Sequence, residues 1–151
     1  MKNISHHLAA LAITAWVGGL WAIGYLAVPV LFYTQPDRQL AGMLAGELFT
    51  LVAYLGIVCG SYLLLQQIAT SGRAVSRQAL FWIIAVMLLC TLIIHCGIQP
   101  VMANLKLEAM PLDVMNSPFT NQFKILHGIS SIIYLIQSLL GIFLVVKTRP
   151  L

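Results

Sequence analysis

Charged residues are scarce in this chain: they make up 8% of it, against 60% hydrophobic residues. A soluble globular domain carries about 25% charged residues, which it needs to face water. The mean hydropathy of +0.95 therefore excludes that class and makes the lipid bilayer the expected partner. The eight basic residues outnumber the four acidic ones, but they are scattered, and without a basic patch we expect no nucleic-acid partner.

Cysteine is also rare, and its spacing carries no motif. Cys59, Cys90 and Cys96 are odd in number and lie inside apolar runs, which argues against a disulfide framework. The metal-binding patterns H-E-x-x-H and C-x-x-C do not occur. The sequence therefore requires no cofactor and favours a non-enzymatic protein.

Long apolar runs fill most of the chain. A bilayer core about 30 Å thick needs about 20 helical residues to cross it, and four runs meet that length, at about 4–32, 39–68, 78–104 and 119–146. They predict an all-α, integral membrane four-helix bundle with antiparallel neighbours, in one domain over residues 1–151. The first run far exceeds the 7–15 apolar residues of a signal peptide, so we expect it to be retained.

Basic residues predict the orientation. With four spans, both termini and the middle loop share one side, which carries basic residues and no acidic ones: Lys2, Arg73, Arg77, Lys147 and Arg149. The opposite side mixes both signs. Because cytoplasmic loops carry an excess of Lys and Arg, we expect both termini in the cytoplasm. Compact size and short loops suggest a bacterial inner membrane.

Three ionisable residues fall within the apolar runs near the opposite, outward face, and their distances from the ends of the runs predict one common level: Glu47, His95 and His127. Ionisable groups in hydrocarbon are costly and often functional. The spacing predicts an outward-half polar pocket that binds or passes a small ligand. Four more residues on the polar stripes of the helices complete the candidate site: Tyr25, Gln99, Lys124 and Ser131.

Two other interpretations remain open. His95 and His127 could hydrogen-bond between helices and serve packing alone, or they could ligate haem iron or copper in a redox or metal-homeostasis protein. Small residues also form a seam along the second span, at Gly42, Gly46, Gly56 and Gly60. Such seams let helix backbones approach closely, so the protein could be a structural or partner-binding bundle, including a homo-oligomer through this seam.

Several segments resemble the transmembrane protein 205-like domain family, a four-helix membrane domain of unknown function: residues 15–21, 28–32, 41–49, 98–102 and 123–130. The likeness covers most of the chain in order and implies no settled activity. By this likeness, the positions that fit the family's pattern are Pro29, Phe32, Gly42, Gly46, Phe49, Pro100, His127 and Ser130. His95 is not one of them. Residues 16–19 also resemble copper-resistance D-type proteins and the haem-using membrane protoporphyrinogen oxidase, over the first span alone.

Overall fold

The computed structural model describes residues 2–148, apart from the side chains of residues 2, 3 and 73. This part of the chain is all-helical, without strands. The first helix runs from Lys2–Trp21 through a π-helical segment, Ala22–Ala27, to Val28–Thr34, and the second helix is Arg38–Ser71. The third helix runs from Ala79–Leu92 through a second π-helical segment, Ile93–Ile98, to Gln99–Ala109, and the fourth helix is Thr120–Thr148. Short 3₁₀ segments, Gly72–Arg77 and Val114–Asn116, lie in the connections.

The four predicted spans correspond to these four helices. Each helix is long and apolar enough to cross a membrane, and large aliphatic side chains cover their outer surfaces. The protein is therefore a multi-pass helical membrane protein. The main difference is the third helix, which continues to Ala109, beyond the expected end at 104. Polar side chains end the hydropathy signal there, but helical backbone hydrogen bonding does not depend on apolar side chains.

Local capping explains where the second helix begins and ends. The Asp37 carboxylate accepts hydrogen bonds from the backbone N–H groups of Gln39, at 2.9 Å, and Leu40, at 3.1 Å. This side-chain cap satisfies amides that have no partner within the helix. At the other end Gly72 adopts φ 53°, a conformation that glycine tolerates because it has no Cβ.

Each π-helical segment ends just before a proline. Val28 N–H donates to the Ile23 carbonyl and Gln99 N–H to the Ile94 carbonyl, so both bonds span five residues. Pro29 and Pro100 follow directly and have no N–H to donate. The extra residue in each turn shifts the hydrogen-bond register just before the proline, as single-turn π-bulges inside α-helices do.

The helices pack in a closed ring, each against the next and the fourth against the first. At the centre Trp16 has no solvent exposure, and Ile84, Met87 and Leu144 are equally buried around it. Gly56 and Gly60 leave a notch in the second helix that the Trp16 indole fills. Because lipid supplies no hydrophobic force between helices, this close packing is what holds the bundle together.

Candidate functional site

Five of the seven predicted site residues have exposed side chains: Tyr25, Glu47, Lys124, His127 and Ser131. The His127 ring stacks on Phe123 of its own helix, with ring centroids 6.1 Å apart and an interplanar angle of 6°. In a bilayer these side chains border lipid or headgroups. Whether they bind a ligand stays a prediction.

His95 lies between the second and third helices and is partly buried. Its Nδ1 is 3.0 Å from Gln99 Oε1, and its ring packs edge-on against Tyr54 with centroids 4.9 Å apart. Tyr54 follows Glu47 by seven residues, or about 10 Å along the helix. His95 is therefore roughly 10 Å deeper than Glu47, and the two do not share the level that their positions in the sequence suggested.

The remaining two predicted residues have separate neighbours. Tyr25 is exposed, and its ring lies 6.2 Å from that of Tyr134. Ser131 is also exposed and donates to the His127 carbonyl of its own helix at 2.8 Å. Of the seven candidate residues, the structure thus brings His95 and Gln99 into direct contact, and it joins Ser131 to the backbone of His127.

Sequence reasoning missed the most buried polar pair in the described bundle. Gln137 is 1% exposed, and its Nε2 donates to Thr91 Oγ1 at 2.7 Å across the third and fourth helices. Thr91 Oγ1 in turn donates to the Met87 carbonyl at 3.1 Å. A lone glutamine in the middle of an apolar span was the available signal, since a buried amide needs a partner.

Tyr134 ties the fourth helix to the π-helical segment of the first. Its hydroxyl donates to the Leu20 carbonyl at 2.6 Å, two residues before that segment begins. Its ring lies so close to Gly24 that a Cβ there would overlap it. Phe49 of the second helix packs edge-on against the same ring, with centroids 5.4 Å apart. An aromatic cluster therefore joins three helices at this level.

Lys106 closes the end of the bundle near the start of the second helix. Its Nζ donates to the Gly42 carbonyl at 3.0 Å and lies 5.7 Å from the centre of the Phe123 ring. Beside it Val114, from the connection between the third and fourth helices, packs with Leu105 and Ala109. The ammonium thus satisfies a backbone carbonyl and contacts an aromatic face.

A recess of about 590 Å³ opens at the other end of the bundle, which we call the N-terminal end. All four helices line it, with apolar walls and several polar side chains: His6, Thr14, Gln66, Gln67, Thr70 and Thr148. Ile13 and Ile84, both buried, lie at its inner limit. The polar residues of this recess were not among the candidates from sequence.

A groove of about 580 Å³ runs between the first and fourth helices on the surface of the bundle. It is almost wholly apolar, and Trp21 and Tyr25 lie along it. Ser138 also lines it, at 4% exposure, and its Oγ has no hydrogen-bond partner. Tyr25 is the one predicted site residue that lines either the groove or the recess.

The described residues contain no cluster of three or more His, Cys, Asp or Glu side chains able to hold a metal ion. The His95 ring has a polar contact with Gln99. The His127 ring instead stacks on the apolar ring of Phe123. A haem or copper site at these histidines would therefore rest on the two imidazoles and not on a larger donor set.

The glycine seam divides into two parts. Gly56 and Gly60 are covered within the chain by Trp16. At Gly46 an added Cβ would meet nothing within 4 Å, and at Gly42 it would meet Lys106 Nζ at 3.8 Å, an ordinary contact. Gly46 is therefore open and Gly42 lies beside the Lys106 ammonium, whereas the deeper pair is already covered by Trp16.

Residues 11–111 match the domain of unknown function DUF4149. The match begins at residue 11 within the first helix and extends past the end of the third, so it includes both π-helical segments and the prolines that follow them, and it ends before the fourth helix. Comparison with curated proteins and with solved structures gave no match. Since the match extends over more than half of its length, the chain belongs to the DUF4149 family.

Proposed function

We propose that this membrane protein has antiparallel neighbouring helices and both termini in the cytoplasm, in a bacterial inner membrane. Gln66, near the end of the second helix, donates through Nε2 to the Ser5 carbonyl at 2.9 Å and to Ser5 Oγ at 2.8 Å. Ser5 is near the start of the first helix, so this contact supports an antiparallel pair. The basic residues at the same end support a cytoplasmic location.

Reporter fusions to the C-terminus test the orientation. A green fluorescent protein fused there should fluoresce, and alkaline phosphatase fused at the same point should be inactive, because the two reporters work on opposite sides of the bacterial inner membrane. Active phosphatase with a dark fluorescent fusion would place the termini outside.

We further propose that the protein binds a small ligand in the recess at its N-terminal end. The observation that supports this proposal is that residues of all four helices line one recess of about 590 Å³, which has apolar walls and a few polar groups. Ligand pockets usually have this size and composition. Below it, Trp16 and Met87 have no exposure and fill the bundle centre, so the packing favours binding over passage through the bundle.

Native mass spectrometry of the protein extracted in mild detergent tests this binding. Ala10 lines the recess, whereas Ala15 of the same helix does not and is exposed. We expect a small molecule on the native protein and on Ala15→Phe, and its loss from Ala10→Phe. No bound species on any of the three, or equal binding by both variants, would reject the recess as the site.

The outward-half site is the second candidate, and the partly buried His95–Gln99 contact favours it. It would place His95 deepest, with Glu47 and His127 nearer the surface. If it binds a ligand, Glu47→Gln and His127→Ala should change binding without lowering the amount of protein in the membrane. Equal loss of abundance would favour a packing role.

A metal-dependent function is a further alternative, with His95 and His127 as ligands of haem or copper. An optical spectrum and a metal analysis of protein from cells supplied with both would distinguish it. A haem Soret band or stoichiometric copper that disappears in His95→Ala is expected if it holds. A colourless, metal-free preparation is expected if the recess ligand is the physiological one.

A second copy of the chain is the partner that the open glycines favour. Gly42 and Gly46 lie one turn apart; in the described part of the chain nothing lies within 4 Å of a Cβ added at Gly46, and Lys106 Nζ makes only an ordinary contact, at 3.8 Å, with one added at Gly42. Gly46→Leu should then dissociate a dimer while leaving the monomer folded, as analytical ultracentrifugation in detergent would show. The matched Gly128→Leu, at another open glycine, should leave the dimer intact.

The relationship to the transmembrane protein 205-like domain family is likewise proposed. The DUF4149 match includes Pro29, Gly42, Gly46 and Pro100, which the likeness marks as pattern positions. His127 lies beyond the matched residues, so its role as a family position depends on the likeness alone.

A further inference from the structure

The groove between the first and fourth helices has one polar feature that its surroundings leave unexplained. Ser138 lines the groove and is more than nine-tenths buried, yet its Oγ has no hydrogen-bond partner. A serine in an apolar helix usually donates back to the carbonyl four residues earlier, as Ser131 does here. Ser138 does not, and its Oγ is itself enclosed, so the side chain must rotate about one bond before the hydroxyl can donate to a molecule in the groove.

The rest of the groove suits a flat apolar ring with a tail. Trp21 and Tyr25 are 40% and 48% exposed along it, and Leu26, Leu139 and Ile142 continue its apolar surface. Gly18 leaves space at its edge, because an added Cβ would meet nothing within 4 Å. Aromatic rings pack favourably against one another in offset or edge-on arrangements.

The depth of Ser138 in the membrane limits the classes of lipid that can hydrogen-bond to it. Ser138 lies ten residues before Thr148 and eighteen after Thr120, about 15 Å and 27 Å from the two helix ends. The hydroxyl is therefore deep in the hydrocarbon layer. Phospholipid esters and sterol hydroxyls stay near the headgroups, whereas a lipid-soluble quinone carries its carbonyl oxygens at any depth.

We propose that this groove binds a quinone-class lipid, with the ring along Trp21 and Tyr25, one carbonyl accepting from Ser138 Oγ, and the tail along the aliphatic wall. The assignment concerns binding and involves no electron transfer. It stands apart from the proposed recess ligand, because the recess and the groove share no residue.

The test uses the full-length protein in detergent with decylubiquinone, a benzoquinone with a saturated tail, as the probe. Retained quinone is measured after gel filtration by extraction and absorbance, and affinity is measured by titration. We expect roughly stoichiometric retention by the native protein and by Gly128→Leu, the control at an open glycine outside the groove. Gly18→Leu should fill the groove and abolish retention.

Ser138→Ala distinguishes the contribution of the hydroxyl to quinone binding from the contribution of the shape of the groove. Because Ser138 Oγ makes no hydrogen bond to the described residues of the chain, its removal should not lower thermal stability. Loss of one hydrogen bond to the quinone should weaken binding by roughly three- to tenfold. Native affinity in Ser138→Ala would overturn the quinone assignment. No retention by the native protein, or equal retention by Gly18→Leu, would overturn the site itself.

Discussion

The indole of Trp16 occupies the space that a side chain at Gly56 would need. A Cβ at Gly56 would lie 2.5 Å from Trp16 Nε1, and Trp16 has no solvent exposure. The indole is rigid and enclosed, so it has no free space into which to move. Close contact between the first and second helices therefore requires glycine at position 56.

Gly56→Ala should destabilise the bundle by about 1–3 kcal/mol, the usual cost of overpacking a filled core. Unfolding in a mixed detergent series, followed by circular dichroism, measures the change. Gly46→Ala is the matched control, since it makes the same substitution on the same helix where nothing lies within 4 Å. Equal stability of the two variants would contradict the role of Trp16.

Gln137 and Thr91 should be energetically coupled across the third and fourth helices. Hydrogen bonds between membrane helices contribute about 0.6 kcal/mol on average to the free energy of unfolding. Because this pair is buried, we expect its coupling energy to be at least that large. A double-mutant cycle with Gln137→Leu and Thr91→Val measures the coupling in the unfolding free energy. Additive effects would mean that the two groups act separately.

Tyr134→Phe should lower the unfolding free energy by about 0.5–1.5 kcal/mol, because it removes the hydrogen bond to the Leu20 carbonyl and keeps the ring. Gly24→Ala should cost more, since the added methyl meets the Tyr134 ring. Gly128→Ala, at an exposed and open position, serves as the control and should leave stability unchanged. The order of the three midpoints in thermal unfolding is the measurement.

Lys106→Met should destabilise the end of the bundle by about 1 kcal/mol, because the Gly42 carbonyl loses its side-chain donor and Phe123 loses its cation. Lys124→Met removes an equal charge from an exposed side chain of the fourth helix and should be near neutral. Hydrogen exchange of residues 105–120 locates the effect. Faster exchange there in Lys106→Met alone is the expected result.

The positions of the helices were predictable from sequence because the bilayer acts as the solvent. A span must hide its backbone and present apolar side chains over a known thickness, and this constraint is local to each run. Even the ends were close, with the second helix at Arg38–Ser71 against an expected 39–68. The glycine seam was likewise visible as a packing surface.

The relative depth of residues on different helices was not predictable in the same way. The ends of a hydropathy run are uncertain by several residues, and one turn of helix is about 5.4 Å. The sequence therefore predicts one level for His95 and Glu47, whereas the contact of His95 with Tyr54 places it about two turns deeper. The lone glutamine in the middle of the fourth span indicates that Gln137 needs a partner, but the sequence does not show that the partner is Thr91, because the pairing depends on the rotation and register of two helices.

By itself, the sequence determined that this is a four-span helical membrane protein with small residues where helices meet, because composition and periodicity follow from the solvent and from helix geometry. The tertiary structure alone decided which side chain fills which notch: Trp16 at Gly56 and Gly60, Tyr134 at Gly24. It also decided that Ser138 has no partner. Such facts depend on the rotation and axial register of one helix against another, which many distant contacts set together.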